Sequence, residues 1–309
     1  MGLSVASFIE FLLRPYLLAT GLRSRSIPID SETIFHCWLS QSLCGRNPNP
    51  KPVVLLIHGF GPLSTWQWRY QIRPLSRHFD LVIPDLLFFG GSSTRSAARS
   101  EAFQAESLAR LMDTILSPGL RFDVVGTSYG GFVAYHMAKA CGPEKVRRVV
   151  IASSDLLKRE ADDRALAERG GVNHVSDLML PKGTAEIRRL IALAVHRQPK
   201  FLPEFLLRDV MLKLFHVNVA RKMELMAGVT LADETKFQLT PLPQEVLIIW
   251  GQNDRIFPLE KAFEMRKLLG EDVKLVNLKN TGHIPQMEDP QKFNEVLLDF
   301  LLDAHRSSL

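Results

Sequence analysis

Short apolar runs around Val53, Val124, Val149 and Leu247 recur through this chain, and helix-compatible stretches separate most of them. Runs of that kind suit central parallel strands, which are covered by helices on both faces and so read as continuously apolar rather than alternating. Further strand-like segments stand at 33–39, 81–83 and 273–278. The pattern predicts an α/β fold built on a doubly wound, mostly parallel sheet. The 309 residues, 46% of them hydrophobic, are enough to bury a large core for one such domain.

The alternation stops between 155 and 243, where no strand pattern occurs but amphipathic helices do, at 185–196 and 204–215 among others. This stretch is expected to be a helical lid inserted between strands 6 and 7, with Leu190, Ile191, Leu206, Leu207, Met211 and Leu214 as candidates for an acyl pocket. The expected organisation is an N-terminal amphipathic helix at 1–25, a first core segment at 26–154, the lid at 155–243 and a second core segment at 244–309.

The chemistry is concentrated in Gly126-Thr127-Ser128-Tyr129-Gly130-Gly131. A strand-forming segment precedes it and a helix-compatible one follows, so Ser128 falls in a sharp strand-to-helix turn that lifts its hydroxyl clear of the backbone. A turn that tight leaves no room for Cβ atoms at Gly126 and Gly130. A serine hydroxyl becomes a useful nucleophile only when an imidazole takes its proton and a carboxylate fixes that imidazole. Asp254 follows the apolar run at 246–250 and His283 follows the run at 273–278, so both are expected on loops at strand carboxyl ends, where α/β sheets build their sites. His58-Gly59-Phe60-Gly61 follows the run at 53–57, which makes the amides of Phe60 and Tyr129 the candidate oxyanion donors.

From about residue 30 onward the chain resembles the α/β-hydrolase superfamily. The resemblance rests on the elbow, His58-Gly59-Phe60-Gly61, Pro84-Asp85-Leu86 with Phe89-Gly90-Gly91-Ser92-Ser93, Gly251 to Pro258, and Gly282-His283-Ile284-Pro285 with Glu288-Asp289-Pro290. It implies Ser128 as nucleophile, His283 as general acid/base and Asp254 as the orienting acid. Asp155 is the rival acid. His58 and Asp85 read as residues that structure their own turns, and Trp66 and Trp68 as packing for the first core helix. His36, His78, His136, His174, His196 and His216 read as surface or lid residues. Aspartate stands at the elbow in the superfamily's epoxide hydrolases and haloalkane dehalogenases, so serine points to acyl substrates. The sequence looks like monoacylglycerol-lipase-type members, which implies a carboxylic ester hydrolase acting on lipid-like or medium-chain esters. Carbon–carbon bond hydrolases with the same triad and small-molecule receptors of the strigolactone type remain alternatives.

Neither metal-ligand spacing nor a dinucleotide fingerprint occurs, so no cofactor is expected. The net charge is +5, but basic residues alternate with acidic ones, which argues against nucleic acid as a partner. Three cysteines without a C-x-x-C pair suggest a reducing, intracellular compartment. Val5, Phe8, Ile9, Leu12, Leu13, Tyr16 and Leu17 form one apolar stripe on a helix, which suits either a membrane surface or the protein's own core. Met1-Gly2 opens like a myristoylation signal but Ala6 stands where Ser or Thr is required, and Ser307-Ser308-Leu309 resembles a peroxisomal address without its lysine.

Overall fold

The computed structural model describes residues 4–45, 50–61, 63–199, 201–231, 233 and 235–306. The Met1-Gly2 start and the Ser307-Ser308-Leu309 end lie outside the described residues, as does the Ala6 side chain. The chain opens with α1 (Val5–Ala19), then β1 (Leu22–Pro28), β2 (Thr33–Ser40), β3 (Val53–Ile57), α2 (Ser64–Ser76), β4 (Asp80–Pro84) and the short β5 (Ser93–Thr94). There follow α3 (Glu101–Ile115), β6 (Phe122–Thr127), α4 (Tyr129–Lys145) and β7 (Val146–Ala152). Next come α5 (Glu160–Gly170), α6 (Val175–Met179), α7 (Thr184–Ala194), α8 (Glu204–Val210), a π-helical turn at Met211–Phe215 and α9 (Val219–Ala227). The chain then returns through β8 (Glu245–Gly251), α10 (Leu259–Leu269), β9 (Lys274–Leu278), α11 (Pro285–Glu288) and α12 (Pro290–Arg306).

Among the described residues the strands form one sheet in the order β1-β2-β4-β3-β6-β7-β8-β9, with β5 on β2. From β4 to β9 all neighbours are parallel, and β1 and β2 add an antiparallel edge. Alternate residues of β3 enter different cores: Val53, Leu55 and Ile57 pack with α3, α4 and α10, whereas Val54 and Leu56 pack with α2 and α12. Burial on both faces is the physical reason these strands carry no alternation of polar and apolar residues.

Strand β1 escapes the sequence pattern because it is an edge strand in which Arg23, Ser24, Arg25 and Ser26 outnumber apolar residues. It pairs along its whole length with β2, from Leu22 opposite Ser40 to Pro28 opposite Ile34. Register places the functional loops together at one edge: Ile57 pairs with Gly126, Thr127 with Ala152, Ala152 with Ile249, and Gly251 with Leu278. The loops after β3, β6, β8 and β9 therefore leave the sheet side by side.

Helix α1 is apolar around most of its circumference. Leu17 is buried, Val5, Ile9, Leu13 and Tyr16 are partly covered, and the Tyr16 hydroxyl donates to Arg69 O at 2.9 Å. Phe8, Phe11 and Leu12 lie on the other side, each more than half exposed. The helix packs against α2 and α8, and α8 and the residues beside it add exposed Phe201, Phe205 and Leu212. No helix of the described residues is long and apolar enough to cross a membrane.

Candidate active site

Ser128 occupies the turn between β6 and α4 with φ 52° and ψ −125°, a conformation L-residues rarely adopt and one that costs roughly 1–3 kcal/mol. Its surroundings enforce it. The Ser128 amide donates to Ala152 O at 2.9 Å, and Gly131 N donates to Ser128 O at 2.8 Å. A Cβ on Gly126 would overlap the Gly130 carbonyl, and one on Gly130 would overlap the carbonyls of Ile57 and His58. The glycines thus let three backbone segments meet at Ser128.

His283 Nε2 lies 2.9 Å from Ser128 Oγ, and His283 Nδ1 lies 2.9 Å from Asp254 Oδ2. The second carboxylate oxygen of Asp254 accepts the amides of Ile256 and Phe257 at 2.8 and 2.9 Å, which fixes the carboxylate plane. With Asp254 at Nδ1, that nitrogen carries the proton and donates, leaving Nε2 to accept from the serine hydroxyl. The Phe257 ring stands edge-on to the His283 imidazole at 5.2 Å. The acid and histidine loops are held together directly: Asn253 N donates to Thr281 O at 2.8 Å, and a Cβ on Gly251 would overlap the Gly282 carbonyl.

Phe60 and Tyr129 sit across from each other beside the serine, their rings 6.3 Å apart. Tyr129 is the first residue of α4, whose amide has no acceptor within its own helix. The neighbouring Gly59 amide is engaged by Gln67 Oε1 at 2.9 Å, and Gln67 Nε2 donates back to Gly59 O at 3.2 Å, which fixes the peptide just before Phe60. A Cβ on Gly59 would stand 2.9 Å from Ser128 Cβ, which keeps this loop close. His58 is wholly buried: its Nε2 accepts Leu86 N at 2.9 Å and its Nδ1 donates to Gly59 O at 2.7 Å. Burial holds its pKa below the ordinary value against the opposing pull of Asp85, and the neutral ring serves as a strut between loops.

The rival residues are committed elsewhere. Asp155 accepts Leu157 N at 2.9 Å and faces Lys261 at 3.5 Å, and burial pushes its carboxyl up to about 6. Asp85 accepts Ser64 Oγ at 2.7 Å, His36 Nδ1 at 2.8 Å and Gly91 N at 3.1 Å; burial would raise its pKa, but the His36 and Ser64 hydrogen bonds hold it below the ordinary value. His36 is therefore a half-buried partner of that turn rather than a surface residue. His136, on α4, faces the buried Glu101 at 3.6 Å. Trp68 is buried between the sheet and α12, and Trp66 packs on the α8 cluster.

A cavity of about 390 Å³ opens at Ser128 and Tyr129, with a mainly apolar wall that includes Phe132, Leu166, Met179, Met226, Val229 and Phe257. These side chains come from α4, α5, α6, α9 and adjoining loops. Of the residues expected to form an acyl pocket, Leu207, Met211 and Leu214 instead build a separate cluster with Ile187 and Phe215; Ile191 packs on it, and Leu190 bridges it to the main core.

Residues 52–290 match the alpha/beta hydrolase fold family, and the match covers most of the chain. The chain belongs to the α/β-hydrolase fold family. It is 25% identical to human monoacylglycerol lipase ABHD6 over 276 residues, 86% of this chain and 80% of that protein. It is 27% identical to 2-hydroxy-6-oxo-2,4-heptadienoate hydrolase of Pseudomonas putida over 258 residues, 80% of this chain and 88% of that one. The crystal structure of a membrane phospholipase A superposes with a TM-score of 0.77, covering 97% of this chain and 92% of that one at 24% identity, a likeness of fold.

Two residues near the site show their role only in three dimensions, although Glu288 already belongs to the histidine-loop motif. Gln67 clamps the Gly59 peptide, and its sole sequence signal is a polar residue on the buried face of α2. Glu288 is the second. Its Oε1 accepts Gly282 N at 2.6 Å, its Oε2 accepts the amides of His196 and Arg197 at 2.8 and 3.2 Å, and His283 N donates to Ala194 O at 2.7 Å. One carboxylate thus ties the histidine loop to the segment after α7. Glu288→Ala leaves three amides without that acceptor and is expected to lower kcat on an ester substrate about 10- to 100-fold, the scale of an ångström's misplacement. Steady-state kinetics beside a melting curve checks this; unchanged kcat in a folded variant would remove Glu288 from the positioning scheme.

Proposed function

We propose that this protein is a serine hydrolase that cleaves carboxylic esters, with Ser128 as nucleophile, His283 as general acid/base and Asp254 as its orienting acid. The observation that carries this reading is the unbroken hydrogen-bonded line from Asp254 through His283 to Ser128, in a cavity that Phe60 and Tyr129 also line. Ser128 Oγ attacks the ester carbonyl while His283 Nε2 takes its proton, and the two amides stabilise the oxyanion. His283 then protonates the departing alcohol, leaving an acyl-enzyme. Water activated by His283 releases the acid. A lipid-like or medium-chain acyl group, as on a monoacylglycerol, suits the apolar cavity of about 390 Å³. Helices α5 to α9 act as the lid over it.

Carbon–carbon bond cleavage is the second reading, favoured by the similarity to the Pseudomonas putida hydrolase. Assay of monoacylglycerols beside a vinylogous diketone acid separates the two, and ester turnover alone supports the first. A receptor of the strigolactone type would instead show very slow turnover and ligand-dependent capture of a partner protein.

We also infer that the outer face of α1 rests on a membrane surface, supported by exposed Phe8, Phe11 and Leu12 and by the net charge of +5. Because the inner face packs on the core, substitution tests this better than deletion. Burial of a Phe side chain is worth roughly 1.5–3 kcal/mol, so Phe8→Ser with Phe11→Ser is expected to cut partition into anionic liposomes at least tenfold with catalysis in free solution retained. Equal flotation of variant and wild type would refute it.

A further inference from the structure

Lys222 is a buried cation that the ester-cleaving machinery does not use. It lies on α9 with only 4% of its surface exposed, and its Nζ donates to Leu214 O at 3.3 Å and stands 5.1 Å from the Phe89 ring centroid. Among the described residues no carboxylate pairs with it. An ammonium has three donors, and one long bond to a carbonyl leaves most of that capacity unspent. Burial alone pulls its pKa down to about 8, so it is still largely protonated at neutral pH. A desolvated charge without a counter-ion is costly to keep in a fold, and an incoming anion relieves that cost.

Lys222 lines a second cavity, of about 310 Å³, together with Lys213, His36, Gly61, Glu10 and Asp85. The charges around it do not cancel Lys222. Asp85 spends both oxygens on Ser64, His36 and Gly91 N. Glu10, on α1, is drawn to Lys213, although burial raises its pKa.

This cavity adjoins the catalytic one. Gly61 continues the oxyanion loop, and Phe89 packs edge-on against both Phe60 at 5.3 Å and His58 at 5.2 Å. Phe60 lines the cavity at Ser128 and Phe89 the cavity at Lys222, so the two spaces lie on either side of this aromatic pair. The apolar cavity suits the acyl chain. A group reaching Lys222 from Ser128 therefore belongs to the alcohol portion of the ester.

We propose that Lys222, assisted by Lys213, forms a subsite for a phosphate carried on the alcohol portion of an ester substrate. A phosphate offers several acceptor oxygens, matching the unused donors, and hydrogen bonds between charged groups are the strong ones. This inference rests on the Ser128 ester hydrolase reading and adds the class of its leaving group.

The test compares 1-octanoylglycerol with 1-octanoylglycerol 3-phosphate, below the concentrations at which either aggregates. Wild type is expected to favour the phosphate ester in kcat/KM by about 10- to 100-fold, the range for hydrogen bonds to charged groups. Lys222→Met is expected to abolish that preference while leaving 1-octanoylglycerol turnover and fluorophosphonate labelling within about twofold, and Lys222→Arg to restore it. Inorganic phosphate is expected to compete with the phosphate ester in wild type and not in Lys222→Met. No preference in wild type, or equal losses on both esters in Lys222→Met, would overturn the proposal. So would Lys222-dependent phosphate binding without any preference between the esters, which would make free phosphate the ligand. If neither ester is hydrolysed, the ester hydrolase reading fails instead.

Discussion

Ser128→Ala is expected to lower kcat for a medium-chain p-nitrophenyl ester by about 10⁶, the scale seen when a triad nucleophile is removed, with substrate affinity little changed. The size of the effect follows from what alanine removes. No covalent intermediate can form, and His283 Nε2, 2.9 Å from the lost Oγ, has no hydroxyl to activate. Packing should survive, since Ser128 is held by its own backbone amide and carbonyl rather than by its side chain. Residual hydrolysis would come from the oxyanion amides and binding alone. Equal hydrolysis by wild type and variant in stopped or continuous assays would place the chemistry elsewhere.

Asp254→Asn is expected to cost about 10⁴ in kcat, the loss known for an asparagine in the orienting position of such a triad. Asp254 Oδ1 already accepts two amides, so an asparagine keeps those bonds only by placing its oxygen there and turning its NH₂ toward His283 Nδ1. Two donors then face each other unless the imidazole changes tautomer, and the other tautomer puts the proton on Nε2, where it cannot accept from Ser128. Asp155→Asn provides the contrast. Asp155 faces Lys261 and the Leu157 amide, and its substitution is expected to leave kcat within about threefold, as befits a residue that touches neither the histidine nor the substrate. The reverse ranking of the two variants would make Asp155 the acid.

The fold and the hydrogen-bonded line were legible because each leaves a one-dimensional trace. Strands buried on both faces must be apolar throughout, and a turn that brings Gly126, Gly130 and the Ile57 carbonyl together must be glycine-rich. Asp254 and His283 each follow a strand, and parallel register then brings both loops to one edge. What the sequence hid was contact between distant segments. Strand β1 draws its stability from pairing with β2, so it tolerates Arg and Ser where pattern reasoning wants apolar residues. Apolar periodicity marks helices α7 and α8 as amphipathic, but not whether their stripes face a cavity or each other; they face each other, and α6 and α9 line the catalytic space. Helix α1 reads as having a single stripe, yet Phe8 and Leu12 of that stripe stay outside while Ile9, Leu13 and Leu17 pack inward.

Mapping the site of covalent capture tests the central claim most directly. A fluorophosphonate reacts only with a serine whose hydroxyl is activated, so wild-type protein treated with such a probe and digested for mass spectrometry is expected to carry one adduct, on the peptide containing Ser128. Labelling should fall at least a hundredfold in His283→Ala, which removes the proton acceptor. An adduct on another residue, or undiminished labelling of Ser128 without His283, would contradict the account.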